Sequence, residues 1–217
     1  MNDKDQAWTV RLEKMFPTIE QWGARIRSAN VTVPAPDSSL ARDDRFYPAM
    51  PASQLAYGAL ATAVEHPDFF RVAFQGTQTL YPTAYFTVLR SALMGGAQAV
   101  WVLKPPRVAR LENALRLARD DIKQRSALLS DDVPTALGFA EQIATARQAL
   151  RQELGDVQAA AATLELDPVQ VRDWRLNMTN VIKSVAGMIR GEDGEDPALE
   201  TGSGLPAGFR GPDGLYR

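Results

Sequence analysis

Tyr81-Pro-Thr-Ala-Tyr-Phe-Thr-Val-Leu-Arg-Ser-Ala-Leu-Met-Gly-Gly-Ala-Gln-Ala-Val-Trp-Val-Leu103, followed after Pro105-Pro106 by Val108-Ala-Arg-Leu-Glu-Asn-Ala-Leu-Arg-Leu-Ala-Arg-Asp-Asp-Ile-Lys-Gln-Arg125, decides the fold. In the first segment Tyr85, Leu89, Leu93, Gly96, Val100 and Leu103 recur at steps of three and four, and Leu111, Leu115, Ala118, Ile122 and Leu129 do the same in the second. That period is helical, so the stretch reads as a helical hairpin at the centre of an all-α core. Pro82 suits the first turn of the first helix. Gly95-Gly96 falls in mid-helix, where each glycine costs on the order of 1 kcal/mol, so a close approach by another helix is expected there.

Arg90 interrupts the apolar face. It predicts either an ion pair with a carboxylate of a neighbouring helix or, with Gln98 and an acid from elsewhere, the lining of a binding pocket. Leu80–Leu103 is long enough to span a bilayer, but a central arginine costs roughly 2.5–3.5 kcal/mol there, which favours a buried helix of a bundle.

Working outward, Trp8, Leu12, Met15, Ile19, Trp22 and Ile26 alternate four- and three-residue steps over nearly three heptads. They predict one helix kinked at Phe16-Pro17 or two collinear pieces. Residues 30–52 hold four prolines among polar residues and read as a long loop, tacked to the core by Phe46 and Tyr47. Ser53 reads as the cap of a helix ended by His66-Pro67, with a further short helix from Asp68 to about Gln75. His66, the one histidine, is expected to bond last-turn carbonyls, with a catalytic role as the open alternative.

From Lys104 to Arg125 seven Lys or Arg face three acids. The basic side of this helix, with Arg116, Arg119 and Lys123, reads as solvated or as a stripe that faces phosphates. Leu137 to Leu154 continues the helical period to Gly155. Residues 160–174, Ala160-Ala-Ala-Thr-Leu-Glu-Leu-Asp-Pro-Val-Gln-Val-Arg-Asp-Trp174, look like a helix-turn-helix signature within a 156–190 unit, with Arg172 and Arg175 as candidate phosphate contacts. That family usually has glycine where Glu165 stands, and Glu165, Asp167 and Asp173 would repel phosphates. The helical pattern runs on through Leu176, Met178, Ile182, Val185 and Ile189. From Gly191 the chain holds seven glycines, three prolines and a net charge of −4, and is expected to be a disordered acidic tail.

A net charge of −2 over 217 residues supplies no global field for nucleic acid or an anionic membrane. No cysteine means no disulfide and no thiolate ligand or nucleophile. The polar, acidic N-terminus lacks the pattern of a signal peptide, so the cytoplasm is expected. No phosphate-cradling glycine loop, nucleophile elbow or metal-ligand spacing is found, and no catalytic residue, metal or cofactor is expected.

The segment from Arg90 to Leu103 with its Pro turn and Arg-rich helix, and Met178-Thr-Asn-Val-Ile-Lys183, resemble a group of uncharacterised helical proteins of actinobacteria. That group has an acid where Met94 stands, and ends in a Trp-Arg, Ser-Gly and His-Gly segment that this chain lacks. It is distantly similar to HEPN-like helical domains, some of which are ribonucleases of toxin–antitoxin or phage-defence systems. Their arginine followed four to six residues later by histidine is absent here, so the resemblance implies helical architecture and no catalytic residue.

The resulting expectation is one all-α bundle of six to eight helices over residues 1–190, with 191–217 as tail. Its function is expected to be that of a non-enzymatic cytoplasmic binding or assembly protein of phage, plasmid or defence context, with a protein partner or a homodimer and no membrane. The alternative is a nucleic-acid-linked protein, through the 156–190 unit or as a diverged HEPN-like ribonuclease.

Overall fold

The computed structural model describes residues 3–28, 34–129 and 139–190. Among them are eight helices and no strand: α1 Asp3–Ser28, α2 Ser39–Asp44, α3 Ala52–Thr77, α4 Pro82–Leu103, α5 Arg107–Leu128, α6 Ala140–Ala162, α7 Pro168–Asp173 and α8 Met178–Arg190. The all-α bundle is as the spacing predicts. Leu137 and the tail expected to be disordered lie outside the described residues.

The widest helix contact is α3 against α4, ahead of the α4/α5 hairpin. Small residues cause it. A Cβ on Gly95 would lie 2.6 Å from the Ala59 carbonyl oxygen and 2.9 Å from the Ala63 nitrogen, so the two backbones meet where the paired glycines predict. Gly96 has only the Ala63 Cβ at 3.8 Å.

Three apolar clusters fill the bundle. Phe16, Phe70, Phe74 and Tyr85 join α1, α3 and α4, with the Phe70 and Tyr85 rings edge-on at 4.7 Å. Trp101, Val102, Ala114, Leu117, Val181 and Val185 join α4, α5 and α8. Leu115, Ile122, Leu150, Val157, Val171 and Trp174 join α5, α6 and α7, with Tyr47 packed among them.

Several local expectations give way to packing. Helix α3 does not stop at His66 but runs through Pro67 to Thr77. A mid-helix proline costs about 3 kcal/mol, yet Ala56, Ala59, Phe70 and Phe74 lie buried on both sides of it, so tertiary burial holds the two halves in one phase. Pro17 is likewise inside a single α1. Ser53 does not cap α3. Pro51 holds the cap position, and the Ser53 N–H donates to Asp44 Oδ1 at 2.9 Å. Helix α6 passes Gly155 and reaches Ala162, because Val157 and Ala161 extend its buried face.

Residues 34–51 are not all loop: they contain α2, capped by Ser38 Oγ, which accepts from the Ala41 N–H at 3.1 Å. After α6, Glu165 takes φ 61°, while the Glu165 and Leu166 N–H groups donate to the Ala162 and Ala161 carbonyls at 3.0 and 3.2 Å. This is a Schellman stop with glutamate at the left-handed position that glycine favours. The pattern expected to run on from α7 is broken at Trp174, where ψ is 133° and the ring is buried. Asn177 Oδ1 then accepts the Thr179 N–H at 3.0 Å and starts α8.

Candidate functional site

Two regions concentrate the side chains with functional potential. The first is the basic face of α5, most of whose arginines are engaged in contacts within the bundle, while Arg107 and Lys123 stay exposed. Arg107 and Arg110 reach across to α2, where Asp43 is fully buried; their Nε atoms donate to its two carboxylate oxygens at 3.1 and 2.6 Å. Arg116 donates to Glu112 at 2.7 Å, and its guanidinium lies 4.7 Å from the centre of the Trp174 ring. Arg119 donates through Nη2 to the Arg172 carbonyl oxygen, while its Nε and Nη1 are buried without an acceptor among the described residues. Arg125 bridges Asp121 and Glu153.

These contacts bring the α5 candidates Arg116 and Arg119 against α7, so the two sets named from sequence do meet. What remains outward is limited. Lys123 and Arg175 are exposed, and the Arg172 head is exposed and pairs with neighbouring Asp173 at 3.2 Å.

Arg90 and Gln98 are not brought together. Arg90 is exposed and has no ion pair among the described residues, so it forms no buried pair there, and it is not among the residues that line the groove between α1 and α4. Gln98 is half-buried, and its Nε2 donates to Met178 Sδ at 3.4 Å, tying α4 to α8. The sequence cannot distinguish these environments, because Arg90 interrupts an apolar stripe whose neighbours stop short of it.

His66 is half-buried in mid-α3, with Nδ1–H donating to the Thr62 carbonyl at 3.0 Å. It satisfies a carbonyl as expected, although within the helix rather than at its last turn. Asp68, two residues further on, is buried between Arg27 and Arg71, which donate at 2.6 Å and at 2.8 and 3.0 Å. Burial raises its carboxyl pKa, and the hydrogen bonds from both arginines more than offset that, holding it below the usual carboxylate value. Gly23 makes room for this pair, since a Cβ there would lie 2.9 Å from the Asp68 Oδ2. No group of three or more His, Cys, Asp or Glu able to hold a metal ion occurs among the described residues.

The second region was not singled out from sequence. Helices α1 and α4 both pack on α3 and leave a groove of about 180 Å³ between them. Ala63, Val64, Pro67 and Phe70 of α3 floor it; Leu12, Met15, Phe16, Ile19 and Trp22 of α1 form one wall, and Leu89 of α4 the other. Met15, Trp22 and Leu89 remain exposed at its mouth, and Phe86 and Leu93 continue the exposed apolar surface along α4. The available signal was the α1 heptad stripe, whose spacing predicts a helix but does not say what covers its apolar face.

Helix α4 is also the one described helix long and apolar enough to cross a membrane, yet only 28% of its most apolar window is buried. Its C-terminal half packs against α3, α5 and α8, and the N-terminal half carries the exposed stripe. Compared with family models, curated proteins and solved structures, the chain matches none.

Proposed function

We propose that this chain is a non-enzymatic, cytoplasmic helical binding or assembly protein that works through the groove between α1 and α4. The observation that carries this reading is the apolar surface of Met15, Trp22, Phe86, Leu89 and Leu93, exposed at and beside a groove of about 180 Å³. Large apolar side chains grouped in this way mark interaction surfaces, and a groove between two helices fits the apolar face of a third. Among the described residues, the buried or half-buried acids Asp43, Asp68 and Glu153 are held in internal ion pairs with arginines.

The test replaces Met15 with a photoreactive benzoylphenylalanine in cells that make the protein, with Val108, an exposed residue of α5, as control. A discrete adduct from position 15 and none from position 108 is the expected result. Absence of any adduct from position 15 overturns the reading.

A nucleic-acid reading draws on the exposed Lys123, Arg172 and Arg175. Retention on RNA or DNA that weakens steeply with salt and with charge removal at these three positions would support it; no retention at low salt would exclude it.

A further inference from the structure

Resting on the groove reading, we infer that the occupant of the groove is the α4 ridge of a second copy of this chain, and that the two copies exchange ridge for groove about a two-fold axis. Three observations converge on that occupant. The first is adjacency. Phe86 and Leu93 stand three and four residues either side of Leu89 on α4, and Leu89 itself lines the groove. One surface therefore presents a helical ridge beside a groove, which is the self-complementary arrangement that an isologous contact requires.

The second is period. Phe86, Leu89, Leu93 and Gly96 on α4 step by three, four and three, and Leu12, Met15, Ile19 and Trp22 on α1 step in the same way. Helices whose apolar residues share this repeat interdigitate at a shallow crossing angle, so the ridge of one copy matches the wall of the other along its length.

The third is area. The five residues range from 42% exposed at Leu89 to 69% at Phe86. Together they leave on the order of 500 Å² of apolar surface open per chain. A stable dimer buries about 800 Å² per partner, and about 65% of a homodimer interface is apolar. The open surface therefore matches what one side of a dimer needs.

Sedimentation across about a hundredfold range of concentration should show mass action between one and two chains. Phe86→Asp and Leu93→Asp should each weaken association at least tenfold, while Val108→Asp, an equally exposed apolar site on α5, leaves it unchanged. Circular dichroism verifies that the exposed substitutions leave the helices folded. Because the chain has no cysteine, register can be read directly. A Met15→Cys chain mixed with a Leu93→Cys chain should give a mixed disulfide dimer under mild oxidation.

A one-chain mass at every concentration overturns the inference, as does a dimer indifferent to Leu93→Asp, or disulfides formed only between identical variants. Flotation of the wild type with lipid vesicles in place of self-association also overturns it. An adduct from position 15 to a different protein would sink the dimer and leave the docking reading standing. No adduct together with a monomeric mass would remove both.

Discussion

Substituting the two adjacent glycines of α4 one at a time separates helix propensity from packing at the widest contact in the bundle. Both are mid-helix, so glycine to alanine gains about 1 kcal/mol of propensity at either position. At Gly96 the nearest foreign atom to the new Cβ is 3.8 Å away, an ordinary contact, so the gain should survive. At Gly95 the Cβ would lie 2.6 Å from the Ala59 carbonyl oxygen, 2.9 Å from the Ala63 nitrogen and 3.0 Å from the Thr62 Cβ. Two of these are backbone atoms and cannot rotate away. Helices α3 and α4 must part by roughly 0.5–1 Å, and a gap of that size forfeits a quarter to a half of each dispersion contact along the seam. Overpacking costs about 1–3 kcal/mol, and two immovable backbone atoms closer than 3.0 Å put this site in the upper half of that range, about 2–3 kcal/mol. After the propensity gain, Gly95→Ala should lose about 1–2 kcal/mol while Gly96→Ala gains about 1. For a chain of this size, 1 kcal/mol shifts Tm by about 2–4 °C, so the two variants should melt on opposite sides of the wild type. Thermal and urea melts followed by circular dichroism at one fixed chain concentration read both numbers. A Gly95→Ala variant as stable as the wild type, or two variants that shift together, would refute the close approach of α3 and α4.

Asp43→Ala leaves the largely buried Arg110 without its carboxylate and should cost about 3 kcal/mol in a urea melt, while Arg107→Ala, whose side chain is 58% exposed, should cost less than about 1. Burial, then the charges of Asp156 and Glu153, push the Tyr47 phenol up to about 12 against the opposing pull of Arg125. Since the unfolded value is about 10, the linked stability is complete below pH ~10 and is lost as pH rises through about 12; Tyr47→Phe should remove of order 2 kcal/mol of that alkaline loss and raise stability at neutral pH by about 1 kcal/mol, because the buried hydroxyl has no protein partner among the described residues. Glu165→Gly relieves a left-handed residue at the end of α6 and should raise stability by about 1 kcal/mol, read as a Tm increase; an unchanged or lowered Tm would refute the strained Schellman stop.

The helices of this bundle were legible wherever three- and four-residue spacing met a clear stop. Pro82 at the start of α4, the Pro105-Pro106 hinge and the close approach at Gly95 all follow from the chain alone. The misreadings share a physical cause, which is that local rules were overridden by partners distant in sequence. Pro67 ends a helix by local preference, but Ala56, Ala59, Phe70 and Phe74 keep one face against its neighbours. Asp43 sits among prolines and polar residues that read as solvated loop, and nothing local reveals that it is buried. One signal did exist: Arg107 and Arg110 occupy the first turns of α5, where the helix dipole disfavours cations. Two arginines placed against the dipole imply a carboxylate supplied from elsewhere, and Asp43 supplies it.

Helix α4 gathers these threads, since its composition demands cover along its whole length and the chain covers it unevenly. Helix α8 runs beside it from Gln98, tied to Met178, to Lys104, which donates to the Met188 carbonyl. Every turn of α4 from Gly95 onward therefore has α3, α5 or α8 against it, and Ala97, Ala99, Trp101 and Val102 are buried. The same four-and-three repeat continues N-terminally through Leu93, Leu89 and Phe86, where no equivalent of α8 stands among the described residues. Arg90 lies on the flank of that uncovered half, so its charge costs nothing in desolvation and its presence leaves the stripe beside it intact. An apolar repeat that outruns its internal partner is what a helix shared between an intramolecular core and an external contact requires. The groove against α1 supplies the complementary surface on the same face.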